Sequence, residues 1–172
     1  YFLDGVMQEF IDKTSGQESM KRTHRHAVKG RALGLGVMGW HTFLQKKDLP
    51  FNSIASTAWT HTIFSQIKLK AEAASRQLAE EYGEPLWCKG TGMRNTHLLA
   101  VAPTVSNSRI SGCSAGIEPQ PANVYTFNGA KGTFIVKNPE LVVKLKVTKN
   151  NTDKVWDQIL ADNGSVQNLP AD

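Results

Sequence analysis

The chain has 172 residues, 40% apolar and 20% charged, with a formal net charge of +5. That length supports one domain with a real core, and no apolar run approaches the ~18 residues needed to cross a bilayer. Tyr1 to Ile11, carrying Asp4 and Glu9, does not read as a signal peptide, and Cys88 and Cys113 lack the spacing of a zinc site or a disulfide framework.

In chain order, residues 1–12 predict a helix, with Phe2, Val6 and Phe10 on one ridge and Leu3, Met7 and Ile11 beside it. After a turn-rich connector, Lys13 to Ser19, a polar, basic helix runs to Gly30. Arg31 to Gly39 is short, apolar and glycine-punctuated, which suits a buried strand. Trp40 to Lys47 is a short helix stopped before Pro50. The clearest helix starts near Asn52 or Ser53, either a fit N-cap. Its residues Trp59, Ile63, Ile67, Ala71, Ala74 and Leu78 form one buried stripe, and Gly83 and Pro85 end it. Thr96 to Ala102 is a nearly continuous apolar run, the mark of a strand buried on both faces. A hairpin around Asn128-Gly129 joins 122–127 to 132–136. Asn138-Pro139 starts a helix over 140–146, and a last helix covers 152–160, with Val155, Trp156, Ile159 and Leu160 inward. Strands alternating with helices give an α/β class in one domain, residues 1–172.

Lys21, Arg22, Arg25, Lys29 and Arg31, with His24 and His26, make a basic cluster. It lacks an aromatic platform and any RNA-binding signature, so a solvated helix face or a surface for another part of a larger protein is preferred to nucleic-acid binding. Gly34-Leu-Gly36-Val-Met-Gly39 spells G-x-G-x-x-G, the signature of a nicotinamide-dependent dehydrogenase. No apolar strand leads into it, and no acidic residue lies between Leu49 and Trp59; the nearest, Asp48, comes nine positions after Gly39. A crowded strand needing close backbone approach is the better reading. The five histidines form no i, i+4 metal pair with a carboxylate, and His97 reads as a structural histidine. Cys88 and Cys113 read as small buried or incidental residues rather than reactive thiols.

The most informative segment is Pro103-Thr104-Val105-Ser106-Asn107-Ser108, at the carboxyl end of the predicted strand 96–102. Ligands of open α/β sheets and barrels bind there. Three hydroxyls, an amide and the free N–H groups of a starting helix suit an anion, most naturally phosphate. The helix field contributes roughly 0.3–1 kcal/mol, and each hydrogen bond to a charged group roughly 1.5–3 kcal/mol, so directed donors dominate. A serine-rich cap with nothing bound fits the spacing equally well.

Several segments, in order along essentially the whole chain, resemble the large subunit of class I ribonucleotide reductase, of the bacterial and phage type. They are Phe2 to Phe10, Arg31 to Gln45, Leu78 to Pro85, Gly92 to Ser108 (the most specific), Gly116-Ile-Glu-Pro119, Ala130 to Ile135 and Gly164 to Gln167. The resemblance implies the later, incomplete part of a ten-stranded α/β barrel. It implies reduction of ribonucleoside diphosphates to deoxyribonucleotides through a protein thiyl radical, in a bacterial or phage-infected cytoplasm. Substrate phosphates would be held by Thr104, Val105, Ser106, Asn107 and Ser108, partly through backbone N–H groups. Some relatives have a carboxylate where Val105 stands and a hydroxyl where Asn107 stands, so a side-chain role is not carried over at those two positions. Gly34 and Gly36 would be structural barrel glycines.

The resemblance also implies a small, metal-containing radical-generating subunit, nucleoside triphosphate effectors bound outside this segment, the remainder of the large subunit and a homodimer of it. No cofactor or metal is expected in this chain, and no membrane or nucleic-acid partner. The family's radical cysteine sits in an Asn-x-Cys-x-Glu loop, and neither cysteine has those neighbours. No catalytic residue is therefore expected here, and the chain reads as an internal slice, inactive and prone to aggregate alone. Within the family a cobalamin-dependent relative is a further alternative, because the cofactor-specific parts lie outside this chain. The alternative is a stand-alone phosphate- or nucleotide-binding α/β module without redox activity.

Overall fold

The computed structural model describes residues 1–129 and 132–169. They form two compact units, one of Tyr1–Val37 with Ile54–Ala102, the other of Met38–Ser53 with the chain from Pro103 onward.

In the first unit, helix α1 (Phe2–Thr14) packs on α2 (Lys21–Gly30), which also meets the 3-10 turn Leu86–Cys88. The contact is close because residue 30 lacks a side chain: a Cβ there would stand 2.6 Å from the Trp87 ring. Helix α2 ends where Arg31 turns left-handed (φ 45°), its N–H bonding the Ala27 carbonyl at 2.9 Å. Helix α4 (Ile54–Tyr82) holds 29 residues without Gly or Pro, and Gly83 closes it at φ 81°.

The two strands expected in this unit are present only as a short extended pairing around one parallel bridge, Leu35 with Leu99. Leu33 and Leu35 donate to the His97 and Leu98 carbonyls at 2.9 and 2.8 Å, and Ala100 donates back to Leu35 at 3.1 Å. The run 98–102 is not buried on both faces; Val101 is 68% exposed. Within this unit it is paired along one edge only, by residues 33–35. The stripe on α4 is likewise buried only at its end, at Leu78 beside Ser75 and Ala79. Upstream, Trp59 is exposed, and Ile67, Ala71 and Ala74 wall an open groove with Leu33, Leu35 and Leu98.

A polar network ties this unit together. Arg31, expected in the solvated basic cluster, is 4% exposed and forks onto Asp4, Nε to Oδ1 at 3.0 Å and Nη2 to Oδ2 at 2.9 Å. Asn95 donates from Nδ2 to Asp4 Oδ1 (2.8 Å) and to the Arg31 carbonyl (3.0 Å). The fully buried Ser75 hydroxyl donates to Asn95 Oδ1 at 2.8 Å. Burial pushes the Asp4 carboxyl up, but the hydrogen bonds from Arg31 and Asn95 and the charges of Arg31 and Arg94 outweigh it, holding the group below its usual range.

The second unit contains α3 (Trp40–Lys46), α5 (Val105–Ser111), the antiparallel hairpin β1 (Val124–Gly129) and β2 (Gly132–Lys137), α6 (Pro139–Val147) and α7 (Asp153–Ala161). Asn128 and Gly129, expected at the turn, instead pair with Thr133 and Gly132 inside the two strands; Ala130 and Lys131 lie outside the described residues. Asn138 caps α6 by accepting the Glu140 N–H at 3.1 Å, and Thr152 caps α7 from Val155. The core is Val124, Leu145, Trp156 and Ile159, with Leu141, Val142 and Val155 against it. Ile159 is fully buried, a gain of roughly 1.5–3 kcal/mol. Leu160, expected inward, is 38% exposed, because the inner face of α7 is set by Trp156 and Ile159.

Candidate functional site

Residues 104–108 form the start of α5. Thr104 precedes the helix in the left-handed region (φ 47°), uncommon for a β-branched residue. The first intrahelical bond runs from the Ser108 N–H to the Thr104 carbonyl at 2.9 Å. The amides of Val105, Ser106 and Asn107 therefore have no acceptor within the helix. The side chains of Ser106 and Asn107 are exposed, as is Val105. Ser108 is buried, its hydroxyl donating to the Val105 carbonyl at 3.1 Å. The Thr104 hydroxyl accepts the Gly116 N–H at 2.8 Å. Of the five predicted residues, three thus offer amides, two of those also offer polar side chains, and Thr104 and Ser108 turn their hydroxyls toward the scaffold. Three adjacent N–H groups with nearby hydroxyl and amide donors can cradle a compact anion.

The segment after α5 holds both of its ends. Gly112 (φ 65°) bonds back to the Arg109 carbonyl at 3.3 Å and Cys113 to Ser108 at 3.0 Å, the paired bonds of a Schellman stop. Ser114, 1% exposed, is gripped by the first turn of α3. Its carbonyl accepts from Gly39 at 2.8 Å, its N–H donates to Thr42 Oγ1 at 2.8 Å, and its Oγ accepts the Thr42 N–H at 3.2 Å. Further on, the Gln120 N–H donates to His41 Nδ1 at 2.9 Å, which requires an unprotonated Nδ1. Burial lowers the pKa of that imidazole and so favours its neutral form. The guanidinium of Arg109 lies 3.8 Å over the Phe127 ring, linking α5 to the hairpin. Gly116 and Thr42 lie in segments that carry the family resemblance, but the sequence gives neither them nor Ser114 a role at this site, because the bonds join positions 72 or 12 residues apart.

The G-x-G-x-x-G glycines serve packing. A Cβ on Gly36 would meet the Ala100 carbonyl oxygen at 2.4 Å, and one on Gly34 the Ala100 side chain at 3.0 Å. Gly39 is left-handed (φ 82°) and opens α3 directly. Asp48, the nearest acid, pairs with Lys144. His97 is exposed, its Nδ1 3.2 Å from the Thr96 hydroxyl. Cys88 is 2% exposed, and burial, then the charge of Glu84, raises its pKa. Among the described residues, no group of three or more His, Cys, Asp or Glu side chains could hold a metal ion, and no helix is long and apolar enough to cross a membrane.

The comparisons with known proteins agree with one another. The family model "Ribonucleotide reductase, barrel domain" matches residues 5–90 and 86–172. A Frog virus 3 protein named as a ribonucleoside-diphosphate reductase large subunit is 39% identical over 170 residues, covering 98% of this chain and 30% of that protein. The large subunit of Invertebrate iridescent virus 6 is 34% identical, over 98% of this chain and 18% of its own length. The class Id ribonucleotide reductase alpha subunit of Actinobacillus ureae superposes with a TM-score of 0.88 at 41% identity, over 98% of this chain and 31% of that one. The chain spans less than a third of each of these relatives. Matched along nearly all of its length, it belongs to the ribonucleotide reductase family and corresponds to part of that family's barrel domain.

Proposed function

We propose that this chain is the segment of a ribonucleoside-diphosphate reductase large subunit that holds the substrate's phosphates. The observation carrying this reading is the start of α5. There the amides of Val105, Ser106 and Asn107 have no acceptor within the helix, beside exposed Ser106 and Asn107 side chains, in a chain of this family. In this reading the loop Thr104–Ser108 binds a ribonucleoside diphosphate by its phosphates and so fixes the position of the ribose. The radical chemistry belongs to a cysteine elsewhere in the subunit, since Cys88 and Cys113 lack the Asn-x-Cys-x-Glu setting. The segment completes a ten-stranded α/β barrel with the remainder of the large subunit. That subunit works as a homodimer with a small metal-containing subunit and nucleoside triphosphate effectors, in the cytoplasm, supplying deoxyribonucleotides for DNA replication. By itself the segment is inactive.

The test is Ser106→Ala in the full large subunit with its radical-generating partner. Loss of one hydrogen bond to a charged phosphate raises KM for the ribonucleoside diphosphate by about tenfold or more. An unchanged KM refutes the loop assignment. Saturable nucleotide binding by residues 1–172 alone, with a cooperative fold and no restored turnover on adding the missing parts, would instead favour the stand-alone binding module.

A further inference from the structure

We propose that Thr42 and Ser114 are positioning residues for the phosphate loop, acting through the segment 113–116 without touching the substrate. The inference rests on the assignment of Thr104–Ser108 as that loop.

Thr104 is held from outside its own helix. A threonine in the left-handed region is strained, and such a conformation persists only where its surroundings determine it. Its hydroxyl is engaged by the Gly116 N–H, so the geometry of the loop's first residue is set by where Gly116 lies. Gly116 in turn follows Ser114, and Ser114 is the most firmly held residue of the segment. Its N–H and Oγ both bond to Thr42, one to the hydroxyl and one to the amide, in a closed reciprocal pair. Its carbonyl takes the Gly39 N–H, and the Trp40 N–H reaches the Gly116 carbonyl at 3.4 Å. Three amides at the start of α3, those of Gly39, Trp40 and Thr42, thus end on residues 114 and 116.

The same segment closes the other end of α5, through Cys113 bonding to Ser108. Both ends of the seven-residue helix are therefore referred to α3 by way of four residues. Both partners of the reciprocal pair are buried, Thr42 at 8% and Ser114 at 1% exposed, so water does not readily replace either bond. Deleting the Thr42 hydroxyl leaves the Ser114 N–H buried without its acceptor. The segment then shifts to find one and takes Thr104 with it.

The experiment uses the full large subunit with its radical-generating partner, comparing Thr42→Val, Thr42→Ser, Ser114→Ala and, as reference, Ser106→Ala. For each, kcat and KM for a ribonucleoside diphosphate are measured with the inhibition constant of inorganic pyrophosphate, which probes the phosphate site alone. Thr42→Val and Ser114→Ala are expected to raise KM and the pyrophosphate constant together by about five- to tenfold with kcat unchanged, and Thr42→Ser to restore both. Should Thr42→Val fail to fold, Ser114→Ala breaks the same pair from the other side with a smaller change. Folded Thr42→Val or Ser114→Ala with both constants unchanged, while Ser106→Ala raises them, overturns the positioning role and leaves the loop assignment intact. A loss of kcat without a change in either constant also overturns it. If Ser106→Ala leaves both constants unchanged, the loop assignment itself fails.

Discussion

Asp4→Ala is the substitution whose cost the structure specifies most closely. Asp4 accepts two bonds from Arg31 and one from Asn95, and its carboxylate is the counter-charge to a guanidinium that is 4% exposed. Removing one member of a buried pair costs about 3–5 kcal/mol, because the other charge stays buried. Here Arg31 keeps the Gln8 side-chain oxygen at 2.8 Å and the backbone carbonyl of residue 4 at 3.1 Å. The expected cost is therefore at the low end, about 3 kcal/mol. Hydrogen exchange of the α1 peptides, read by mass spectrometry in the full subunit, reports this as a fall in protection of about a hundredfold. Asp4→Ala with Arg31→Met should cost clearly less than the two single changes added together, since neither member of the Asp4–Arg31 pair is then left without the other. A fall below about fivefold for Asp4→Ala, or strict additivity in the double variant, refutes the reasoning. The sign with pH is also fixed. A carboxyl held below its ordinary 3.8 in the folded state contributes stability above that value, and loses it as pH falls from there through the folded value. Protection of α1 is expected to be flat from pH 5 to 7 and to drop only in stronger acid.

Other outcomes follow from single contacts. Gly36→Ala drives a Cβ into the Ala100 carbonyl, so the 33–35 and 98–100 pairing should open at a cost of about 1–3 kcal/mol. Gly5→Ala, with open space at the Cβ inside α1, should stabilise by roughly 0.5–1 kcal/mol; thermal shift separates the two. Asn138→Ala removes the α6 cap and strands Asn123, costing about 1–2 kcal/mol in the same assay. Iodoacetamide at pH 8 should label Cys113, which is half-buried, well before Cys88, whose thiol is covered and raised in pKa. Peptide mapping that finds Cys88 labelled first would contradict this.

The helices were legible because their signals are local. The Asn138-Pro139 start, the Gly83 stop and the spacing of Trp156 and Ile159 each act within a few residues. Leu98 to Ala102 misled because an apolar run says that a strand can be buried, not that neighbouring elements of the same unit cover it. Arg31 misled in the opposite direction. Arg22 and Arg25 of the same cluster are exposed, and only Asp4, 27 residues away, makes burial of the Arg31 charge tolerable. The loop Thr104–Ser108 stood out by composition and position, whereas its supports Thr42, Ser114 and Gly116 are common residues defined by contacts across long stretches of chain.

Ser75 has one proton, and that proton fixes an orientation elsewhere. Its hydroxyl oxygen accepts two backbone N–H groups, from Arg94 at 3.1 Å and Asn95 at 3.2 Å, and its hydrogen goes to the Asn95 side-chain oxygen. The amide of Asn95 can then face only one way, with its NH2 toward Asp4 and the Arg31 carbonyl. An aspartate at position 95, the product of spontaneous deamidation, has the same shape but no hydrogen to give. It would set two carboxylates against each other in a site where one is already matched to its guanidinium. A chemical ageing event with little consequence at exposed positions would here undo the junction of α1, α2 and α4, and the damage would show first as loss of protection in α1.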